Sequence, residues 1–201
     1  EEVLKKVFGI ERFKVVIAED KSPGTINKMK TGFEADFKYD NLRSGRFTRS
    51  HYLKALNKCV ENAKRPVLIH VNSFADLPTQ EEQKKYVLNS LITQDDLKIS
   101  QNNDKFGEMI QDFKNGDIDI LFSTKCNRGV DFPGETCNSV VITKYPYPDA
   151  NSLFWKILKT YKPELFWDFY KDKSKRELFQ KIYRSVRFKD DKVDVYSPDT
   201  R

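Results

Sequence analysis

The sequence predicts an α/β fold in which helices flank a parallel β-sheet. Three short apolar runs predict strands at residues 67–71, 118–122 and 139–143. Their continuous apolar character is typical of parallel strands that are covered on both faces, whereas a half-exposed strand alternates with polar residues. Helical segments and short links separate these runs, and this strand–helix–strand order indicates right-handed crossovers around one sheet.

The composition fits a single domain over residues 1–201 with a helical insert at roughly residues 150–173. The chain is 38% hydrophobic and has no apolar run of the roughly 18 residues that a membrane span requires. Its opening sequence, EEVLKK, does not resemble a signal peptide. The net charge of +6 permits nucleic-acid binding without requiring it.

The three cysteines, Cys59, Cys126 and Cys137, are odd in number and widely spaced. This spacing predicts neither a disulfide framework nor a metal cluster. Unpaired cysteines are typical of a reducing compartment, so we expect a cytoplasmic protein.

The first third of the chain predicts two helices and two strands. Apolar spacing predicts a helix before Gly9, and residues 13–18 and 32–37 predict strands separated by a Ser-Pro-Gly turn. Residues 50–62 predict an amphipathic helix that ends before Pro66. Its inward-facing residues are Leu53, Leu56 and Val60.

Helices and strands alternate through the middle of the chain. Thr79 is expected to cap a helix that continues to about Asn89. A weak strand is predicted at residues 97–100, followed by a helix at residues 104–114.

The last fifty residues are aromatic and helical. The insert at residues 150–173 is followed by a predicted helix at 174–186 and a last strand at 192–196. The rings of the insert belong to Phe154, Trp155, Phe166, Trp167, Phe169 and Tyr170. We expect most of them to form the core of a small helical subdomain. The alternative is a stacking surface for single-stranded nucleic acid.

The loop after Phe122 is the strongest candidate site, because ligands of parallel sheets bind beyond the carboxyl ends of the strands. Gly129 allows close approach of a ligand to the backbone, and Asp131 could accept hydrogen bonds from a ribose. The polar side chains before them belong to Ser123, Thr124, Lys125, Asn127 and Arg128. The alternative is an ordinary strand-end turn with a solvated aspartate.

The loop after Val71 is a second candidate. Ser73 offers a hydroxyl for phosphate contacts, and Phe74 offers a ring that could stack on a base. An equally good interpretation is a turn from which Phe74 returns to the core. His70 lies within an apolar strand and is expected to be a core residue rather than a ligand.

A pair of arginines is the third candidate. Arg184 and Arg187 are three residues apart and would share one face of the predicted last helix, and Gln180 lies one turn before Arg184, where it could hold that guanidinium. The alternative is a solvated basic face. No G-x-x-x-x-G-K-[ST] sequence occurs in the chain, so the residues predict half of an ATPase, without the loop that cradles the phosphates.

Taken in order, three segments resemble the second RecA-like motor domain of a superfamily 2 helicase, and more narrowly the XPD and DinG group of 5′-to-3′ DNA helicases. Residues 67–74 resemble motif IV, residues 123–131 with the following Phe-Pro-Gly resemble motif V, and residues 180–187 resemble motif VI. Two departures occur in motif VI. Tyr183 replaces a usual glycine, and Lys181 replaces a common arginine or cysteine.

This resemblance implies that ATP and Mg²⁺ bind in a cleft shared with an N-terminal motor domain of the same protein, which this chain lacks. Any iron–sulfur cluster would belong to that half. Arg184 and Arg187 would act as arginine fingers with Gln180 beside them, and Gly129 and Asp131 would contact the ribose. Contacts to single-stranded DNA would come from Ser73, Phe74, Thr124, Lys125, Asn127 and Arg128. In a prokaryote the protein would be cytoplasmic or nucleoid-associated.

Two alternatives remain for the function. One is a non-catalytic nucleic-acid-binding module derived from a helicase, which the Tyr183 departure favours. The other is an unrelated nucleotide-binding α/β domain, against which the order of the three motifs argues.

Overall fold

The computed structural model describes Gly45 and residues 48–126, 129–188 and 190–199. The helix, strands and turn that the sequence predicts within residues 1–37 lie outside this part. The described helices are α1 Arg49–Asn62, α2 Gln80–Tyr86, α3 Gln94–Asn103, α4 Glu108–Asn115, α5 Leu153–Tyr161 and α6 Pro163–Ile182. The described strands are β1 Val67–His70, β2 Ile120–Ser123, β3 Ser139–Ile142 and β4 Asp194–Tyr196, with single 3₁₀ turns at Phe74–Asp76 and Gly134–Thr136.

The four described strands form one all-parallel sheet in the order β2-β1-β3-β4. In this sheet Val67 is paired with Ile120 on one side and with Ser139 on the other. Every residue of β1 and β3 is buried. The prediction of an α/β fold around a parallel sheet is therefore confirmed, and the apolar runs locate the first three strands to within two residues.

Strand β1 contributes to a core on each face of the sheet, because successive side chains of a strand point to opposite sides. Ile69 packs in one cluster with Leu53 and Leu56 of α1, and Leu68 packs in the other with Phe113 of α4. The predicted inward face of α1 is thus confirmed. Cys59, Cys126 and Cys137 are all buried, and burial raises the pKa of the last two.

Helix α2 ends at Tyr86, three residues before the predicted end. Thr79 is its N-cap as predicted, and its hydroxyl accepts a hydrogen bond from the Glu82 N–H. The helix stops because Val87 adopts a left-handed conformation with φ of 55°. The next residue, Leu88, packs in the core, and its side chain is 1% exposed.

The predicted strand at residues 97–100 is wrong, since these residues belong to α3. Thr93 and Asp96 form a reciprocal capping box that starts this helix, and Leu97 is buried on its inner face. The next helix, α4, starts four residues later than predicted, after Gly107 in a left-handed conformation with φ of 78°.

The predicted start of the last helix at residue 174 is also wrong. Helix α6 runs for 20 residues without a break, and Ser174 at the predicted boundary is buried and donates a hydrogen bond to the Tyr170 carbonyl at 2.7 Å. Helices α5 and α6 pack together as a helical hairpin. Only part of its aromatic block is core, because Phe154, Trp167 and Phe169 are exposed. None of the described helices is long and apolar enough to cross a membrane.

We expect the substitution Val87→Gly to increase the free energy of unfolding by about 0.5–1 kcal/mol, because glycine adopts the left-handed conformation without the strain that a β-branched residue carries. Val87 is 67% exposed, so little packing is lost. Urea denaturation measures the change, and Val87→Ala is the matched control, since it removes the side chain but retains a Cβ. A glycine variant no more stable than the alanine variant would contradict this expectation.

Candidate functional site

The loops after β1, β2 and β3 lie at one edge of the sheet, which we call the carboxyl edge. Their position follows from the parallel register, in which His70, Ser123 and Ile142 are neighbours at the ends of their strands. Polar residues that are distant in sequence therefore meet here, as ligand sites of parallel sheets require.

The loop after β2 turns sharply around Ser123. Its hydroxyl oxygen accepts hydrogen bonds from the N–H groups of Lys125 and Cys126 at 3.0 and 3.1 Å. Thr124 Oγ1 lies 2.8 Å from Gln101 Oε1, and Lys125 Nζ lies 3.3 Å from the Gln101 carbonyl. Thr124 and Lys125 thus rest against α3. Asn127 and Arg128 lie outside the described residues.

Farther along this loop, Asp131 binds both predicted arginines, and we call these three residues the arginine cluster. Arg184 Nη1 lies 3.1 Å from Asp131 Oδ1, and Arg187 Nη2 donates to the same oxygen. Hydrogen bonds from Arg187, and then from Arg184, lower the pKa of Asp131 below its usual value. The carboxylate therefore stays ionised and holds two guanidinium groups together.

The arginines do not share a helix face as predicted, because α6 ends at Ile182 and Tyr183 is its C-cap. Arg184 lies in the following turn, and Arg187 lies beyond it. They converge through contacts with the loop after β2, including the Arg184 Nη1 contact with the Val130 carbonyl at 3.4 Å. Gln180 is exposed on the last turn of α6, so the predicted support of Arg184 comes from the loop instead.

Asp191 is a positioning residue that the sequence did not indicate. One of its carboxylate oxygens accepts the N–H of Gly134 at 3.1 Å, and the other accepts the N–H groups of Arg187 and Phe188 at 2.7 and 2.8 Å. A backbone hydrogen bond of 2.7 Å from Phe132 to the Arg184 carbonyl joins the same two segments. These contacts fix the backbone on both sides of the arginine cluster.

His70 connects β1 to the last turn of α6. It is fully buried, and its Nε2 lies 3.2 Å from the Lys181 carbonyl. Burial, together with the nearby charges of Lys181 and Arg184, lowers the pKa of His70 to about 3. The imidazole is therefore neutral at physiological pH, with Nε2 donating to the carbonyl. The expectation of a core histidine is confirmed.

The loop after β1 is held by the buried carboxylate of Asp76. Asp76 is not among the predicted site residues, although it follows Ser73 at the spacing of a capping box. Its oxygens accept the Ser73 N–H at 3.1 Å and the Thr143 hydroxyl at 3.0 Å, and pair with Lys144 Nζ at 2.9 Å. Ser73 is exposed beside it, whereas Phe74 packs against the core. Phe74 therefore fits the interpretation in which its ring returns to the core.

The chemistry available at the carboxyl edge is anion binding. Two guanidinium groups lie beside one carboxylate, and planar guanidinium donors match the oxygens of a phosphate. Gly129 has φ of 76°, and a Cβ added there would meet nothing within 4 Å, so this backbone is open to a ligand. Among the described residues, no group of three His, Cys, Asp or Glu side chains could hold a metal ion.

The chain matches the family described as "Helicase C-terminal domain" over residues 56–201. This match covers more than half of the chain and includes every strand described above, the Asp76 loop and the arginine cluster. No curated protein matches the chain.

We expect the free energy of unfolding to decrease as the pH falls from about 6.5 to about 3, because His70 gains its proton in the unfolded chain before it does in the folded one. Above pH 6.5 His70 is neutral in both states and does not lower the free energy of unfolding. As the pH falls from 6.5 toward the folded pKa of about 3, the free energy of unfolding decreases by at most about 1.4 kcal/mol per pH unit. Urea denaturation across this range measures the slope.

The variant His70→Gln should lose this component, since glutamine can donate to the Lys181 carbonyl without titrating. The variant His51→Gln is the matched control. His51 is exposed and accepts a hydrogen bond from its N-cap, a role that glutamine also performs. Identical pH profiles for the parent and His70→Gln would contradict the assignment.

Proposed function

The chain belongs to the family of helicase C-terminal domains, and from this premise we propose that it is the second motor domain of an XPD-like, ATP-dependent 5′-to-3′ DNA helicase. The membership makes it a helicase motor domain in general. The narrower proposal rests on the motif resemblance and, above all, on the convergence of Arg184 and Arg187 on Asp131 at the carboxyl edge.

Arg184 and Arg187 would bind the phosphates of ATP in a cleft formed with the N-terminal motor domain. ATP supplies the phosphoryl group that is transferred to water, and Mg²⁺ would be held mainly by that other domain. Each phosphate group offers more negative charge and more acceptor oxygens than the one carboxylate oxygen that the two arginines share, so the arginines can exchange Asp131 for the phosphates. Asp131, once released, is free to accept hydrogen bonds from the ribose, beside the open backbone of Gly129.

Single-stranded DNA would lie across the loops after β1 and β2. Ser73, Thr124 and Lys125 offer hydroxyl and ammonium donors at this edge, and Asn127 and Arg128 follow in the same loop. Lys125 and Asp131 are six residues apart on that loop. Asp131 would move when the arginines change partner. Because Lys125 is on the same loop, this movement can shift the DNA contacts, as a translocating motor requires.

The Tyr183 departure favours a second candidate, a non-catalytic nucleic-acid-binding module. Tyr183 has φ of −63° and ψ of −13°, a conformation open to any residue, so the absence of glycine imposes no backbone strain there. Both arginines reach Asp131 with Tyr183 in place. The geometry thus supports the motor over the module, and kinetics separates the two.

We expect Arg184→Ala or Arg187→Ala, in the protein that carries both motor domains, to lower kcat for ATP hydrolysis on the order of tenfold or more. At least one of the two should show this loss, with Arg187 the slightly better candidate. DNA affinity should change much less, because an arginine finger stabilises charge that develops during phosphoryl transfer. DNA-stimulated ATP hydrolysis and DNA binding are measured in parallel.

The variants Arg184→Lys and Arg187→Lys should recover little of the lost kcat, because the point charge of an ammonium cannot reproduce the forked, planar donors of a guanidinium. Arg176→Ala is the matched control, since this exposed arginine pairs with Asp172 on the surface of α6. If both cluster variants hydrolyse ATP like the parent, the arginines are only a basic surface and the mechanism is wrong.

We expect the 201-residue chain alone to show no useful ATP hydrolysis. It contains no G-x-x-x-x-G-K-[ST] loop, so the β- and γ-phosphates would lack their cradle. A coupled assay with and without single-stranded DNA tests this expectation. DNA-stimulated turnover that copurifies with the chain and disappears in Arg187→Ala would show that the chain is a complete ATPase.

A further inference from the structure

A continuous series of aromatic contacts runs from the carboxyl edge into the helical hairpin of α5 and α6. Tyr147, in the loop after β3, stacks on Tyr170 with ring centroids 5.4 Å apart and planes inclined by 10°. Tyr170 contacts both Trp155 and Phe166, at 5.1 and 5.4 Å. Trp155 and Phe166 are buried and Tyr170 is half-buried, so these inner rings form the packed interior of the hairpin.

The series reaches the surface at three rings. Phe154 is 62% exposed and packs edge-on against Trp155, and Trp167 is 60% exposed and packs edge-on against Phe166. Tyr147 is 40% exposed. Large exposed aromatic rings on a rigid base are unusual for a surface that faces only water, so they indicate an interaction surface.

The hairpin is also strongly basic. Residues 153–176 contain seven Lys and Arg side chains and three Asp and Glu side chains, which gives this segment a net charge of +4. Lys156, Lys159 and Lys162 are exposed on or next to α5, and Lys159 Nζ lies 5.8 Å from the Phe166 ring centroid. This combination of positive charge and exposed rings complements a polyanion that carries free aromatic faces.

The surface is continuous with the proposed DNA-binding loops. An open cleft of about 230 Å³ lies between the loops after β1 and β3 and helix α6. Asn72 lines it on the side of the β1 loop, and Tyr147 lines it on the side of the hairpin. Helix α6 contributes Lys181 and the ion pair of Lys173 with Glu177, at 3.7 Å. A strand that crosses Ser73 would thus meet Tyr147 next.

We propose that Tyr147, Phe154 and Trp167 form a stacking surface that extends the path of single-stranded DNA from the carboxyl edge onto the hairpin. This proposal rests on the proposed function, since it continues the path that starts at the loops after β1 and β2. Bases would stack on the rings while the hairpin lysines contact phosphates. A single strand fits because only unpaired bases present their faces to side chains.

Tryptophan fluorescence provides a direct test, because the chain has two tryptophans, of which Trp155 is 7% exposed and Trp167 is 60% exposed. Titration of the 201-residue chain with oligothymidylate at low salt should quench the emission. The variant Trp167→Phe keeps an aromatic ring, so it should lose the quenching but retain the affinity measured with a fluorescently labelled oligonucleotide. Binding of the parent without quenching would overturn the placement of Trp167 on the path.

Affinity variants test the energetic role of the rings. Phe154→Ala and Trp167→Ala should each weaken oligothymidylate binding on the order of tenfold. Phe106→Ala is the matched control, because Phe106 is 89% exposed in the link between α3 and α4 and belongs to neither helix of the hairpin, so its removal should leave binding unchanged. Circular dichroism of each variant checks that the exposed substitutions leave the fold intact.

Lys125→Ala separates this proposal from the proposed function. If Lys125→Ala weakens binding while both ring variants bind like the parent, the stacking surface is overturned and the DNA-binding loops are supported. If the ring variants weaken binding and Lys125→Ala does not, the hairpin is supported and the loop contacts are wrong.

Sedimentation of the same variants tests whether the hairpin binds a second copy of the chain instead of DNA. Self-association of the chain that Trp167→Ala abolishes, with DNA affinity unchanged, would assign the hairpin to a protein interface and overturn the proposal. Absence of oligothymidylate binding by the parent would also overturn it, whereas the arginine variants test the motor independently.

Discussion

Strand β1 is paired on both sides with parallel strands, and the candidate site depends on that pairing. The register places the ends of β1, β2 and β3 side by side, so the loops that follow them share one edge. The last turn of α6 is joined to this edge through the hydrogen bond between His70 and the Lys181 carbonyl. A change that displaced β1 would therefore separate the β2 loop from Arg184 and Arg187 and disperse the site.

The arginine cluster combines a fixed backbone with side chains that can exchange partners. Asp191 and the Phe132–Arg184 hydrogen bond hold the backbone. By contrast, the side chains of Arg187 and Asp131 are 38% and 42% exposed, and an ion pair of this exposure contributes little to stability. Loss of the pair to an incoming phosphate thus costs the fold little, which is the behaviour expected of a ligand-binding position.

The sequence predicts a strand or helix most accurately where apolar residues form a local, repeated pattern. Continuous apolar runs locate strands β1 and β3, and the spacing of inward-facing leucines locates helix α1. The strand predicted at 97–100 is wrong because the capping box of Thr93 and Asp96 starts a helix there, and this local signal outweighs a short apolar pattern. The break predicted before Ser174 is wrong because charged residues are good helix formers, and this serine bonds back to Tyr170 within the helix. The contacts of Asp76 with Thr143 and of Asp191 with Gly134 could not be predicted, since these partners lie 67 and 57 residues away.

The two departures in the motif VI segment are both compatible with the backbone geometry at the end of α6. Lys181 contacts His70 through its carbonyl, which any residue in that position supplies. Tyr183 adopts an ordinary right-handed conformation, so a glycine is not needed to end α6 there. Arg184 and Arg187 use their side chains, and both match the motif. Both arginines reach Asp131 with Lys181 and Tyr183 in place, so divergence at these two positions is compatible with the arginine geometry.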